Sequence, residues 1–61
     1  MRLVDVGIVL KVRETKNGRG YIYVIEGKNS VYKVFSKKYF DEETVVYVYS
    51  GDDGRYFISE R

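Results

Sequence analysis

The chain has 61 residues and a formal net charge of +2; 44% of its residues are hydrophobic, 33% are charged and none is cysteine. A chain of this length accommodates one domain, residues 1–61, and without cysteine it has no disulfide or thiolate metal site to reinforce a small core. Charged residues interrupt the first twelve positions, so we expect no signal peptide and no membrane association, and the lack of cysteine is in keeping with a cytoplasmic location.

The first predicted element is a long strand over residues 2–14. Apolar side chains at every second position are predicted to face the core: Val4, Val6, Ile8, Leu10 and Val12. Gly7 interrupts the opposite face, which is typical of a bulge, a bend or a close approach between backbones. A long strand that bends near a glycine can serve two parts of a small barrel.

A hairpin turn at Asn17-Gly18 leads into the second predicted strand, residues 19–26. Alternation turns two of its side chains inward, Ile22 and Val24. It turns three outward, Arg19, Tyr21 and Tyr23. Phenol rings beside a guanidinium make a poor core face but a suitable platform on which bases stack along an anionic backbone. The alternative is that these tyrosines are strand formers covering the outside of a small barrel.

A turn at residues 27–29 precedes the third predicted strand, residues 30–35, whose facing the sequence leaves open. In one arrangement Val31 and Phe35 point to the core and Lys33 extends between them towards water. In the other, Tyr32 and Val34 point inward. Residues 36–43 show no alternation and are predicted to form a loop with one helical turn, in which Phe40 plugs an open end of the barrel.

The fourth predicted strand covers residues 44–50, with Val46 and Val48 inward and Tyr47 and Tyr49 outward. A turn at residues 51–54 joins it to the fifth strand, residues 55–60, in which Ile58 faces the core.

No segment shows helical periodicity, so the sequence predicts an all-β fold of five antiparallel strands. The longest connection lies between strands three and four, and a tight turn joins strands four and five. This arrangement favours an OB-like small barrel over a Src-homology-type barrel, whose short helical turn precedes the last strand.

Four segments in this order resemble a cold-shock domain: Gly7-Ile8-Val9, residues 18–24 (Gly-Arg-Gly-Tyr-Ile-Tyr-Val), Glu26-Gly27, and residues 31–36 (Val-Tyr-Lys-Val-Phe-Ser). The resemblance covers residues 7–36. It implies a five-stranded OB barrel that binds single-stranded RNA or DNA on the outer face of strands one to three. TRAM-type and other small OB barrels fit the same outline.

By position, the resemblance places Arg19, Tyr21 and Tyr32 where the family has stacking aromatic residues, and Phe35 matches the family directly. Other positions depart from the family's pattern. Its tryptophan–phenylalanine pair at the end of strand one is Lys11-Val12 here, and its motif histidine is Val34. An arginine can replace a stacking ring through its guanidinium plane, but lysine and valine cannot.

The charge distribution supports an interaction with a polyanion. Residues 1–38 hold nine Lys or Arg and three acids, a net +6, whereas residues 39–61 hold two Lys or Arg and six acids, a net −4. We therefore predict a module that binds single-stranded RNA or DNA through eight residues: Lys11, Arg13, Lys16, Arg19, Tyr21, Tyr23, Tyr32 and Phe35.

We predict no enzymatic activity, cofactor or metal site. The chain lacks histidine and cysteine, Ser36 beside Lys37 is a weak candidate nucleophile, and the acids at residues 41–43 and 52–53 are typical of a solvated loop and a turn. The alternative function is a protein-interaction or structural barrel that self-associates as a homodimer, through exposed strand edges or through Tyr47 and Tyr49.

Overall fold

Five antiparallel strands make up the part of the chain that the computed structural model describes, residues 1–60. In chain order they are β1 (Arg2–Glu14), β2 (Tyr21–Gly27), β3 (Val31–Ser36), β4 (Val45–Ser50) and β5 (Tyr56–Glu60). The predicted all-β class and the five strands are confirmed. The helical turn predicted in residues 36–43 is wrong, because that connection holds bends and a turn but no helix. Within residues 1–60 there is no helix with the length and apolarity to span a bilayer.

β1 is long enough to pair with two neighbours, as predicted. Its amino-terminal half pairs with β4 and its carboxyl-terminal half pairs with β2. The register shifts at Val4 in the first ladder and at Leu10 in the second, so each of these residues forms a bulge. Gly7 provides a close backbone approach, because a Cβ atom there would lie 2.6 Å from the carbonyl oxygen of Glu26.

The strand order across the sheet is β3-β2-β1-β4-β5. The first four strands therefore form a Greek key, in which the fourth strand returns to lie beside the first. The sheet curls into a half-barrel that brings β3 near β5 without a ladder joining them in the described residues. We call this gap the seam; the rings of Tyr32 and Tyr56 pack edge to face beside it, with centroids 5.0 Å apart.

The core lies inside the curl. It consists of eight buried apolar side chains: Val9, Tyr23, Ile25, Tyr32, Val34, Phe40, Val46 and Val48. The predicted facing of β4, with Val46 and Val48 inward, is confirmed. On β3 the structure has Tyr32 and Val34 inward, which is the second of the two arrangements that the sequence left open.

The predicted facing of β2 is wrong. Tyr23 and Ile25 are fully buried, whereas Ile22 and Val24 are only partly buried and lie on the outer side. Both sides of this strand carry large apolar groups, so alternation alone could not distinguish them. The decisive factor is the phenol of Tyr23, which can be buried because its hydroxyl finds hydrogen-bond partners.

The predicted facing of β1 is also wrong in its centre. Val9 is buried, while Ile8 is 43% and Leu10 is 45% exposed, and Val6 lies on the outward side opposite Tyr47. The two bulges switch the alternation, so Val4 and Val12 do pack against the core at the ends of the strand.

Phe40, predicted to plug one end of the barrel, is buried in the core beside Tyr23, with ring centroids 5.7 Å apart. The backbone N–H of Phe40 donates to the Tyr23 hydroxyl oxygen at 2.7 Å, and the hydroxyl donates to the carbonyl of Lys38 at 2.8 Å. Burial raises the pKa of Tyr23, so this hydroxyl keeps its proton and the donor role. These two hydrogen bonds join the connection between β3 and β4 to β2.

Asp5 carries a buried charge on the side of the sheet that faces the core. Its Oδ1 accepts hydrogen bonds from the backbone N–H groups of Val6 at 2.7 Å and Lys28 at 3.0 Å. Its Oδ2 accepts one from the N–H of Asn29 at 3.0 Å and one from the Tyr32 hydroxyl at 2.9 Å. Burial would raise the pKa of Asp5, but these four donors outweigh it and lower the pKa to about 2.

We expect Ile25→Ala to lower the free energy of unfolding by about 2–5 kcal/mol, the range for a large-to-small change in a packed core. Ile22→Ala, three positions earlier on the outer side, should cost only about 1 kcal/mol. Urea denaturation of both variants measures the difference. Equal losses of stability would contradict the facing of β2.

We expect acid to weaken the fold through Asp5. Its folded-state pKa of about 2 lies below the ordinary value of 3.8, so its contribution to stability is complete above pH 3.8 and is lost as the pH falls towards 2. Asp5→Asn should lower the melting temperature at neutral pH and flatten its decline within this window. Asp52→Asn, at an exposed position in the turn before β5, is the matched control and should keep the slope of the parent.

Candidate nucleic-acid interface

The structure separates the eight residues predicted to bind nucleic acid. Three of them, Tyr21, Tyr23 and Tyr32, lie on the inner side of the sheet. Tyr23 is fully buried and Tyr32 is 8% exposed, so neither ring offers a face to a base. Tyr21 is partly exposed at the barrel end, where its ring packs against Tyr39 with centroids 5.1 Å apart. The predicted outer platform of tyrosines is therefore wrong, because the facing of β2 is reversed.

Two further residues lie in the turn between β1 and β2. Arg19, predicted on a strand, precedes the first residue of β2 and is exposed, as is Lys16. The side chain of Asn17 shapes this turn by accepting hydrogen bonds from the Thr15 hydroxyl at 2.7 Å and from the N–H of Arg19 at 3.0 Å. Gly18 adopts φ of 70°, which explains the need for glycine at this position.

The remaining predicted residues, Lys11, Arg13 and Phe35, share the outer side of β1, β2 and β3. Register aligns Lys11 with Val24 and Lys33 across the three strands, and aligns Arg13 with Ile22 and Phe35. We call these six residues the basic face. Lysine and arginine side chains border a shallow depression of about 240 Å³, whose floor includes Ile22 and Val24.

A larger groove of about 470 Å³ follows the seam. Its lining includes three exposed aromatic side chains and two cations: Phe35, Tyr56, Phe57, Lys33 and Arg55. We call it the seam groove. The three aromatic residues are 48%, 41% and 39% exposed respectively. Because Lys33 and Phe35 belong to both surfaces, the basic face and the seam groove form one continuous surface.

The lack of a side chain at Gly20 leaves room for the Phe35 ring. A Cβ atom at Gly20 would lie 2.6 Å from the Phe35 ring, so only glycine lets this ring rest against the start of β2. The ring rests on the surface beside Gly20 with about half of its area accessible. A ring that is already in place loses little conformational entropy when a base stacks on it.

The turn between β4 and β5 presents Arg55 to the seam groove. The N–H of Gly51 donates to the carbonyl of Arg55 at 2.8 Å, and the N–H of Arg55 donates to Asp53 Oδ1 at 3.1 Å. Arg55 Nε also lies 3.3 Å from Asp53 Oδ2. Both side chains are well exposed, so this ion pair is weak and a phosphate can compete for the guanidinium.

The charged and aromatic groove residues that were not among the predicted interface residues are Lys33, Arg55, Tyr56 and Phe57. The sequence does contain a signal for the last three, since residues 55–57 combine one cation with two aromatic residues, as the second predicted strand does with Arg19, Tyr21 and Tyr23. Residues 55–57 lie in the segment 39–61, whose net charge of −4 gives no indication of a cationic site. Among the acidic residues, Asp53 pairs with Arg55 beside the groove, whereas Glu26, Glu42 and Glu43 border a separate depression.

Ser36, the weak candidate nucleophile, accepts a hydrogen bond from the N–H of Lys38 at 3.1 Å through its hydroxyl. This contact is typical of a turn-forming serine.

Comparison with known proteins found no matching family model, no matching curated protein and no matching solved structure.

Proposed function

We propose that this chain is a small OB-type barrel that binds single-stranded RNA or DNA along the basic face and the seam groove, without catalysing a reaction. The observation that carries the proposal is the seam groove itself, where Phe35, Tyr56 and Phe57 are exposed beside Lys33 and Arg55. Aromatic faces bind unpaired bases of any sequence, and neighbouring cations bind the phosphates that link them.

The topology supports an OB-type assignment. OB barrels are five-stranded, partly open Greek-key barrels, and this chain has five strands, a Greek-key order and an open seam. Such barrels bind oligonucleotides on the face of strands two and three and on the loops that join strands one to two and four to five. The candidate residues occupy those places: Phe35 and Lys33 on β3, Arg19 and Lys16 in the first loop, and Arg55 in the last.

The ligand would be a single strand, because bases in a duplex are stacked on each other and cannot reach the rings. In this arrangement Phe35 and Tyr56 stack bases in the groove, while Lys33 and Arg55 bind the adjoining phosphates. Lys11 and Arg13 extend the cationic track over β1. The aliphatic floor of the basic face would cover the less polar parts of the nucleotides.

Phe35→Leu should weaken the affinity for a labelled single strand by about 1–3 kcal/mol, the usual contribution of one stacked base. Leucine keeps an apolar side chain against Gly20, so the fold should be retained. Tyr39→Leu is the matched control: its ring is 52% exposed but lies outside the groove, and binding should equal that of the parent. Fluorescence anisotropy with single strands and with the corresponding duplex measures both effects. No binding by the parent at low salt would show that the proposal is wrong.

Lys33→Gln should weaken binding to all sequences alike and reduce the salt dependence. For single strands, loss of one phosphate contact lowers the slope of log K against log salt by about 0.7. Lys28→Gln removes the same charge from the exposed turn between β2 and β3, outside both candidate surfaces, and should leave the slope close to that of the parent. Equal effects of the two substitutions would indicate attraction by net charge instead of a defined site.

A further inference from the structure

A second outer surface differs in character from the basic face. On the outward side of β1, β4 and β5, register aligns Leu3 with Tyr49 and aligns Val6 with Tyr47 and Ser59. We call these five residues the uncharged face. Phe57, next to Tyr49 on β5, marks its border with the seam groove. Since a third of the chain is charged, three adjacent strands that present uncharged side chains outward form a distinct region of the surface.

The polar groups of the uncharged face are hydroxyls. Within residues 1–60 the hydroxyls of Tyr47, Tyr49 and Ser59 make no intramolecular hydrogen bond. The two tyrosine rings pack edge to face with centroids 6.4 Å apart, which holds them side by side on β4. Leu3 is 49% exposed beside them.

We propose that the uncharged face is the contact between two copies of this chain in a two-fold symmetric dimer. In such a dimer each patch meets the same patch of its partner. A patch that carried charge of one sign would therefore be repelled by the identical patch on the other copy. A patch without charge avoids that repulsion. Hydroxyls are compatible with their own copies because each one both donates and accepts a hydrogen bond.

The small core gives a second reason to expect that a second copy of this chain covers the uncharged face. Eight buried apolar side chains form the core, and the chain has no cysteine to cross-link it. Domains of this size commonly gain stability by oligomerisation when they lack disulfides and structural metals. A partner that covers Leu3, Tyr47 and Tyr49 would bury a second apolar layer on the outer side of the sheet.

The size of the face limits the strength of the dimer. A stable interface takes about 800 Å² from each partner, roughly a sixth of the 4530 Å² surface of this chain. Four of the five side chains are partly buried and Leu3 is 49% exposed, so together they supply less than that area. The dimer should therefore be weak and should dissociate on dilution.

Sedimentation velocity over a concentration series into the millimolar range tests the proposal on the protein alone, independently of nucleic-acid binding. The parent should show a reversible monomer–dimer equilibrium. Tyr47→Glu and Tyr47→Lys should each weaken association on the order of tenfold or more, since either charge meets its own copy across the axis. A general effect of net charge would instead move the two variants in opposite directions, and that result would overturn the proposal.

Two further variants serve as controls. One tests the same face if the Tyr47 variants misfold, and the other tests whether the contact lies on a different surface. Leu3→Glu alters a half-exposed side chain and decides the matter if circular dichroism shows that the Tyr47 variants unfold. Val31→Glu places the same charge on β3, at a side chain that is 61% exposed and lies outside the face, and should dimerise as the parent does. A parent that stays monomeric throughout, or equal losses for Leu3→Glu and Val31→Glu, would show that a different partner or none covers this face.

Discussion

The fold depends on the buried carboxylate of Asp5. It accepts hydrogen bonds from the N–H groups of Lys28 and Asn29 and from the hydroxyl of Tyr32, all more than twenty positions away in the sequence. A carboxylate that lost these donors could not stay buried at an acceptable free energy. The interaction therefore links the start of β1, the turn between β2 and β3, and the first inward residue of β3. It also accounts for Gly27, where a Cβ atom would clash with the Asp5 carboxylate.

This interior contact determines which side chains reach the surface. Because Tyr32 turns inward to Asp5, its neighbours on β3 turn outward, and Lys33 and Phe35 join the basic face. Antiparallel register then places Lys11 and Arg13 of β1 in the same two rows. The hydrogen bond to the carboxylate raises the pKa of Tyr32, so the phenol stays protonated and keeps its donor role. The candidate binding surface is thus a consequence of how one buried charge is satisfied.

The sequence predicted the strands and turns well because their signals are local. Asn17-Gly18 and the glycines of residues 51–54 mark two of the turns, and both turns join paired strands in the structure. The facing of β1 and β2 could not be predicted, because a bulge at Leu10 has no sequence signature and because Tyr23 is buried through partners in a distant connection. Because the facing of β2 was reversed, the candidate interface could be predicted only in part.

Three residues of the basic face, Lys11, Arg13 and Phe35, were predicted from the sequence, whereas the seam groove exists only because the curled sheet brings β3 beside β5. Residues 33–35 and 54–57 form one groove although about twenty positions separate them along the chain. No pattern within a single strand reports such a juxtaposition. The strand order together with the curl accounts for it, since a curled sheet of order β3-β2-β1-β4-β5 brings its two edge strands, β3 and β5, towards each other.

β1 connects the two proposed surfaces and explains how they stay distinct. Its amino-terminal half pairs with β4 and contributes Leu3 and Val6 to the uncharged face, while its carboxyl-terminal half pairs with β2 and contributes Lys11 and Arg13 to the basic face. A dimer formed through the first surface would hold two copies of the second in a fixed relation. The second contact with a long single strand would then be intramolecular, so a weak site on each copy could yield higher affinity for long ligands without any new contact.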